Sequence, residues 1–174
     1  MDIRELHGLD DVRGTDRVNR RCWRAAYADI LPESVVDRDP ASDAALRERL
    51  AAIRSWTGVA LVAVADERIV GYAFARWGDD TKSFVDADDA GLKEIYVDPD
   101  HWNEGIGTAL LNRVEAELPP STAGLTLSML AGNEAGRRFY ERRGFAEVGE
   151  TTDEIGGETY DCVLFRKPLP HTDT

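Results

Sequence analysis

A pair of glycines, Gly105 and Gly107, lies between a short apolar segment and an amphipathic helical pattern. The apolar segment, residues 92–97, is rich in residues that favour strands and ends at Asp98-Pro99. A helix N-terminus carries unpaired N–H groups and a partial positive charge, and glycine lets that backbone approach an anion closely. Residues 102–108 therefore predict either a phosphate-binding loop or an ordinary strand-to-helix turn whose glycines serve packing.

Two familiar phosphate-binding sequences do not explain this segment. A P-loop requires Gly-Lys-Ser/Thr, which the chain lacks, and a dinucleotide fingerprint requires a third glycine at position 110, where the chain has Leu110. The glycine spacing alone therefore leaves both interpretations open.

A second segment, residues 125–145, carries a further set of motif residues, and the two segments together resemble the GNAT superfamily of acetyl-CoA-dependent N-acetyltransferases. The pyrophosphate motif of that family is written Gln/Arg-x-x-Gly-x-Gly/Ala, and its later motif is an Asn, an aromatic-Tyr pair and Gly-Phe. The matching positions here are Trp102, Gly105, Gly107, Asn133, Phe139-Tyr140 and Gly144-Phe145. Residues 23–34 also resemble the first helix and Leu-Pro loop of a GNAT subgroup, so the resemblance covers nearly the whole chain.

The resemblance implies acetyl-CoA as the co-substrate. It implies that the backbone amides of residues 102–108 hold the pyrophosphate and that the pantetheine arm lies beside residues 95–97 like an added strand. A backbone N–H near Val97 would then donate to the thioester carbonyl. The implied cofactor-binding residues are Ile95, Tyr96, Val97, Trp102, Asn103, Glu104, Gly105, Ile106, Gly107, Thr108, Asn133 and Tyr140. Glu104 stands where the family usually has Lys or Arg, and Asn103 where Gly is common, so positive charge beside the phosphates is lost.

Tyr140 is the first candidate for a catalytic side chain. The resemblance implies a general acid toward the coenzyme A thiolate, and the alternative is a core tyrosine whose hydroxyl is hydrogen-bonded inside the protein. Asn133 is implied to contact the pantetheine arm or a bridging water. It could also cap the helix that starts at Glu134, because Asn is a favoured N-cap, and the two roles are compatible.

The general base is less clearly marked. Many GNAT enzymes have a glutamate near the start of the central strand, where this chain has Gly91. Glu94, three residues on, is the candidate we name, although strand alternation places it on the opposite face from residue 91 unless a bulge intervenes. Asp89 acting through a water, or an ordered-water relay alone, remains open.

The elements that must position these residues predict an α/β fold. We expect one domain over residues 1–174, with a central mixed sheet of six to seven strands flanked by about four helices. The predicted strands span residues 3–6, 59–65, 69–77, 92–97, 125–130, 145–151 and 159–166. The predicted helices span residues 10–30, 42–53, 105–118 and 134–143.

Charge and composition restrict the partners. The chain is 43% apolar, as expected of a globular protein, and its net charge of −12 argues against binding to nucleic acid or to an anionic membrane. The acceptor is predicted to be a primary amine of a small molecule or peptide, cationic because acidic residues crowd residues 78–90. These are Asp79, Asp80, Asp86, Asp88 and Asp89. The alternative is a solvated, salt-adapted acidic surface.

The remaining residue patterns point to a cytoplasmic protein without a metal. Cys22 and Cys162 fit no metal or redox spacing and are predicted to be buried thiols. His7, His101 and His171 form no metal-binding spacing. The longest apolar run, residues 59–65, is too short to cross a membrane, and the chain opens with no signal-peptide pattern. A homodimer is left open.

Two functions of different class follow. The first is an enzyme that transfers acetyl from acetyl-CoA to an amine by direct attack in a ternary complex, which Asn133 and Tyr140 favour. The second is a GNAT-fold module that binds acyl-CoA as a sensor or interaction partner with little turnover, which Gly91 favours. We prefer the enzyme.

Overall fold

Seven strands and five α-helices make up the computed structural model, which describes residues 1–170. His171 lies outside the described residues. The strands are β1 (Asp2–Glu5), β2 (Gly58–Ala65), β3 (Arg68–Arg76), β4 (Asp89–Val97), β5 (Gly124–Leu130), β6 (Ala146–Ile155) and β7 (Glu158–Pro168). The α-helices are α1 (Leu9–Tyr27), α2 (Glu33–Val36), α3 (Asp43–Ser55), α4 (Ile106–Glu117) and α5 (Glu134–Arg142).

The strands form one mixed sheet in the order β1-β2-β3-β4-β5-β7-β6, in which β4 and β5 are parallel and every other neighbouring pair is antiparallel. The predicted fold class is confirmed. Two helix predictions differ from the structure. Helix α1 ends at Tyr27 rather than at residue 30, and the single-turn helix α2 was not predicted because four residues carry too short a pattern.

Each face of the sheet is covered by helices that bury one apolar stripe. Leu110, Leu111 and Val114 of α4 lie in the core on one face. On the other face, α1 and α3 contribute Val18 and Leu46 to a second core. Apolar residues spaced three or four apart place one side of each helix against the sheet, as the sequence pattern indicates.

The parallel pair β4 and β5 separates after a short contact. The two strands pair only where Asp89–Gly91 meets Gly124–Thr126. Beyond that point β4 stays paired with β3, and β5 stays paired with β7, so a cleft opens in the middle of the sheet. Its walls include the part of the β4 edge beyond Gly91, which does not pair with β5 and with which an extended ligand could pair.

A β-bulge in β4 decides which way Glu94 points. Ala75 of β3 pairs with Leu92, whereas Phe74 pairs with Glu94, so Lys93 is an extra residue in the ladder. The extra residue reverses the alternation and places Glu94 on the same face as Gly91. The bulge that the sequence analysis left open is therefore present.

Candidate active site

The cleft between β4 and β5 has a volume of about 1240 Å³ and holds most of the predicted site residues on its walls. Helix α5 and the loop before α4 form one end, which we call the phosphate end and define by residues 102–108 and Arg143. Helices α1 and α3 with residues 82–85 form the other end. We call this the acceptor end and define it by Asp16, Arg38, Arg49, Lys82, Lys93 and Glu94.

The phosphate end presents a run of free backbone donors. Gly105 caps α4 with φ of 83°, a left-handed conformation that favours glycine. The N–H groups of residues 103–108 donate to no acceptor within residues 1–170. Asn103 also has a positive φ, 65°, which Asn tolerates better than most residues, so it can replace the common Gly. The loop is therefore shaped to receive an anion.

The two glycines serve different purposes. A Cβ at Gly105 would meet nothing within 4 Å, so its value lies in the backbone turn. A Cβ at Gly107 would lie 2.9 Å from Cε2 of Phe139, so this glycine allows α4 and α5 to pack closely. The packing interpretation therefore applies to Gly107, whereas Gly105 serves the backbone turn that a phosphate-binding loop would need.

Arg143 supplies positive charge at the phosphate end, and sequence analysis missed it. Its Nε donates to Thr108 Oγ1 at 2.9 Å, and its guanidinium lies 3.7 Å from the centre of the Phe139 ring. Burial lowers the pKa of Arg143, and Arg142 nearby lowers it further. Glu104 is turned toward His101 at 2.9 Å. Arg143 thus places a positive charge near the loop in which position 104 carries a glutamate, and no motif marks it because its partner Thr108 lies 35 residues away.

The edge of β4 offers free backbone groups beside the cleft. The N–H of Asp98 donates to Val70 O in β3, so strand alternation turns the N–H groups of Ile95 and Val97 the other way. The backbone of Tyr96 instead faces its partner Tyr72 in β3. The Val97 carbonyl accepts the Trp102 indole N–H at 2.7 Å, so the N–H of Val97 is the group left for a ligand.

Tyr140 lies on the cleft wall with its ring among aromatic side chains. Its ring centre is 5.2 Å from that of Phe139, 5.4 Å from that of Phe145 and 6.2 Å from that of Phe165. Its hydroxyl makes no hydrogen bond within the described part of the chain. The alternative of a core tyrosine with a bonded hydroxyl therefore does not hold. Burial raises the pKa of Tyr140, so the phenol stays protonated at neutral pH.

Asn133 caps α5 and also lines the cleft. Its Oδ1 accepts the Gly136 N–H at 3.0 Å, which is the predicted N-cap bond. Its side chain also forms a hydrogen bond with Tyr27, which partly offsets the effect of burial on the pKa of that tyrosine, and the Asn133 amide lines the cleft beside this contact. Both roles left open by the sequence are compatible with this geometry.

Glu94 is held by three side chains at the acceptor end. Arg49 Nη2 donates to both carboxylate oxygens at 3.0 Å, the Tyr72 hydroxyl donates at 2.9 Å and Lys93 Nζ donates at 3.0 Å. Burial alone would raise the pKa of Glu94, but the charges of Arg49 and Lys93 outweigh it and the pKa is lowered. Glu94 is therefore ionised at neutral pH, as a base must be, although a lowered pKa weakens it.

Asp89 has a structural position that differs from the predicted one. It is 4% exposed and accepts Arg166 Nε at 2.7 Å, Arg166 Nη2 at 2.9 Å and the Thr126 hydroxyl at 3.2 Å. It does not line the cleft. These bonds tie β4, β5 and β7 together where the cleft begins, so the hypothesis that Asp89 acts through a water has no support.

The charge of the cleft wall is opposite to that of the chain. The basic residues that line it are Arg38, Arg49, Lys82, Lys93, Arg138, Arg142 and Arg143, and the acidic ones are Asp16, Glu94 and Asp153. None of the five aspartates of the 78–90 segment is among them. The local argument for a cationic acceptor is therefore lost.

Cys22 and Cys162 are buried and unpaired with each other, as predicted, and burial raises the pKa of Cys22 to about 12. Within residues 1–170 no group of three His, Cys, Asp or Glu side chains is placed to hold a metal ion. None of the helices in this range is long and apolar enough to span a membrane.

Comparisons with known proteins agree with this architecture. Residues 22–145 match the model of the Acetyltransferase (GNAT) family. An uncharacterised N-acetyltransferase of Mycobacterium tuberculosis is 33% identical over 109 residues, which cover 62% of this chain and 65% of that protein, slightly under two thirds of its length.

Two solved structures share the fold. The PaiA N-acetyltransferase of Thermoplasma acidophilum, in complex with coenzyme A, has a TM-score of 0.73 at 23% identity and covers 97% of this chain and 98% of its own. The ribosomal-protein-S18-alanine N-acetyltransferase of Escherichia coli has a TM-score of 0.69 at 21% identity, covering 99% and 96%. The predicted family is confirmed: the chain belongs to the Acetyltransferase (GNAT) family.

Proposed function

We propose that the protein is an N-acetyltransferase that moves an acetyl group from acetyl-CoA to a primary amine by direct attack in a ternary complex. One observation carries the proposal. An unpaired strand edge at Ile95 and Val97 leads to the free amides of residues 103–108, and the unbonded Tyr140 hydroxyl lies on the same cleft. A long thioester that carries phosphates at one end would meet these groups one after another along its length.

The residues of the phosphate end fit the cofactor. The amides of residues 103–108 and the positive end of α4 would hold the pyrophosphate, and Arg143 would add a charge-assisted hydrogen bond. Arg138 and Arg142 line the same wall and add positive charge. The N–H groups of Ile95 and Val97 would pair with the pantetheine amides. Bound acetyl-CoA supplies the acetyl group as a reactive thioester.

The chemistry needs one bond made, one broken and one proton moved. The amine nitrogen bonds to the thioester carbon, the carbon–sulfur bond breaks, and the N–H of Val97 donates to the carbonyl oxygen as negative charge develops there. Glu94 receives, through a water relay, the proton that the amine loses, because three strand residues separate it from Val97. Tyr140 donates a hydrogen bond or its proton to the departing sulfur. Its raised pKa makes complete transfer less favourable, so stabilising the sulfur in the transition state is its main contribution.

The predicted cationic acceptor rested on the aspartates of the 78–90 segment, which do not line the cleft. A small molecule or a peptide end would enter from the acceptor end, where α1 and α3 leave the cleft open. The unpaired, buried thiols of Cys22 and Cys162 suit the reducing cytoplasm that the sequence predicts.

The test is release of free thiol from acetyl-CoA on adding primary amines, followed by mass spectrometry of the acetylated product. We expect thiol release that depends on the amine and falls to background without it. Tight acetyl-CoA binding with no thiol release from any amine in a broad panel would favour the sensor function instead. A variant such as Gly107→Leu, which the Phe139 ring cannot accommodate, should lose cofactor binding together with activity.

A further inference from the structure

The acceptor end has spare hydrogen-bond donors and few spare acceptors. Asp16 is already engaged by Arg20 at 3.0 Å, by Arg38 at 2.9 Å and by the Ala41 N–H at 3.2 Å. Glu94 is engaged by three side chains, as described above. Both carboxylates at this end therefore have their oxygens occupied by the protein's own cations.

The cations at this end are less well satisfied. Arg49 bonds only through Nη2, and its Nε is buried without an acceptor within the described residues. Its Nη1 also has no hydrogen-bond partner in residues 1–170. Lys82 reaches the cleft from the acidic 78–90 segment, and its ammonium makes no hydrogen bond or ion pair there. Nη1 of Arg49 and the ammonium of Lys82 are the donors at this end that an anion in the cleft could bind.

The net charge of the residues that line the cleft also favours an anionic group on the acceptor. Two of the three lysines of the chain, Lys82 and Lys93, line this cleft although acidic residues outnumber basic ones 33 to 21 overall. A second ammonium on the acceptor would meet these like charges, and Asp153 is the one carboxylate of the cleft wall that has no ion pair within residues 1–170. A carboxylate would gain charge-assisted hydrogen bonds, which are roughly twice as strong as neutral ones.

We propose that the acceptor is a primary amine that also carries a carboxylate or another anionic group, and that Arg49 and Lys82 bind this group. The inference rests on the proposed function and names its substrate class. Glu94 and Val97 lie three strand residues apart, about 10 Å, so the anion and the reacting amine belong several bonds apart on the acceptor. An extended amino acid or a short peptide with a free carboxylate has this form.

The experiment compares matched acceptors on the full-length protein. Unbranched ω-amino acids of two to six carbons are tested against alkylamines and diamines of the same length, with free thiol as the readout. We expect at least one ω-amino acid to exceed its matched alkylamine and diamine by about tenfold or more in kcat/KM, the effect of one charge-assisted bond. Alkylamines or diamines that equal the amino acids at every length would overturn the inference.

Two variants and one control assign the effect to residues. Lys82→Gln and Arg49→Gln should each reduce the ratio of kcat/KM between the amino acid and its matched alkylamine, mainly through KM of the amino acid. Arg47→Gln is the control, because Arg47 lies on the same helix as Arg49 but is exposed and outside the cleft. The Lys82 ammonium makes no hydrogen bond or ion pair within residues 1–170, so its variant remains informative if Arg49→Gln unfolds.

The outcomes separate the two proposals. No thiol release from any amine means that the proposed function fails, and this inference falls with it. Thiol release without preference for the carboxylate, or a preference that survives both variants, overturns only the inference.

Discussion

The phosphate end of the cleft is built mainly from backbone N–H groups, whereas the acceptor end is built from side chains on separate elements. At the phosphate end, six consecutive residues, 103–108, supply the donors, and a glycine at 105 sets their direction. At the acceptor end, Asp16, Arg49 and Glu94 come from α1, α3 and β4 and meet only in the folded chain. A site built from consecutive backbone groups can be recognised from the local sequence, whereas a site built from side chains of separate helices and strands cannot.

Tyr140 lines the cleft on α5, and its hydroxyl is proposed to act on the departing sulfur, so the hydroxyl should matter for chemistry more than for binding at either end. Tyr140→Phe keeps the ring packing against Phe145 and Phe165 and removes only the hydroxyl. We expect kcat to fall by about 10²–10⁴-fold, the range for a general acid, with little change in acetyl-CoA affinity. Steady-state kinetics and calorimetric titration measure the two quantities.

Tyr160→Phe is the matched control. The Tyr160 hydroxyl bonds to Glu158 at 3.1 Å and does not line the cleft, so this variant should keep kcat. An unchanged kcat in Tyr140→Phe, with chemistry shown to be rate-limiting, would return Tyr140 to a packing role.

Asp89 bonds to β5 and β7 where the cleft begins, so replacing it should lower the stability of the whole fold rather than ligand binding at one end of the cleft. Asp89→Asn leaves the Arg166 guanidinium without its carboxylate. We expect the free energy of unfolding to fall by about 3 kcal/mol, the low end for a buried pair that loses one partner, because Arg166 is partly exposed. Urea denaturation measures it, with the exposed Asp161→Asn on β7 as the control.

The pH dependence gives the same prediction an independent check. The Arg166 hydrogen bond lowers the pKa of Asp89 despite the opposing effect of burial. The stabilisation is therefore present above the unfolded pKa, about 3.9, and is lost as pH falls through the lower folded value. The difference in stability between parent and Asp89→Asn should be constant near pH 7 and shrink below about pH 4. A difference that grows on acidification would contradict this role.

Arg143 is the one side chain that we expect to matter at the backbone-built end. Arg143→Gln should weaken coenzyme A binding by about tenfold or more, the value of a charge-assisted hydrogen bond, while kcat at saturation changes little. Calorimetric titration at two salt concentrations measures the loss and the reduced salt dependence. Arg137→Gln is the control, because Arg137 lies on the same helix but pairs with Glu141 and Glu147 outside the cleft. Equal loss in both variants would mean that only the overall charge of α5 matters.

Local sequence was enough for the order of the longer elements and for the backbone loop of the phosphate end, although not for Arg143 or α2. The strand at residues 92–97, the left-handed Gly105 and the Asn133 cap depend on neighbours within a few residues, so their pattern is visible in the chain. The sequence could indicate that a bulge near Glu94 would change the direction of its side chain, but it could not show that the bulge exists at Lys93. The bulge depends on how β4 pairs with Phe74 and Ala75 of β3.

The acceptor end could not be predicted for a physical reason. Arg49 is one of several basic residues on an amphipathic helix, and only the packing of α3 against β3 and β4 brings it to Glu94. The aspartates of the 78–90 segment are a second case. The sequence predicted that they would attract a cationic acceptor, but Asp80 accepts the Thr57 N–H and Asp89 is turned inward to Arg166. Side-chain direction in a loop is set by such contacts, which the sequence does not display.

The smallest effect should come from the exposed carboxylates of that segment. Asp86 and Asp88 are exposed and do not line the cleft, so their field reaches the acceptor only through solvent, where 0.1 M salt screens it over about 10 Å. We expect Asp86→Asn with Asp88→Asn to change KM of the acceptor less than about twofold. Lys82→Gln, from the same segment but facing the cleft, should change it more, and in opposite senses for carboxylated amines and for diamines. If the two Asn changes instead raise KM for diamines several-fold, with the rise abolished by salt, the acidic segment steers cations to the cleft and the cationic acceptor predicted from the sequence regains its support.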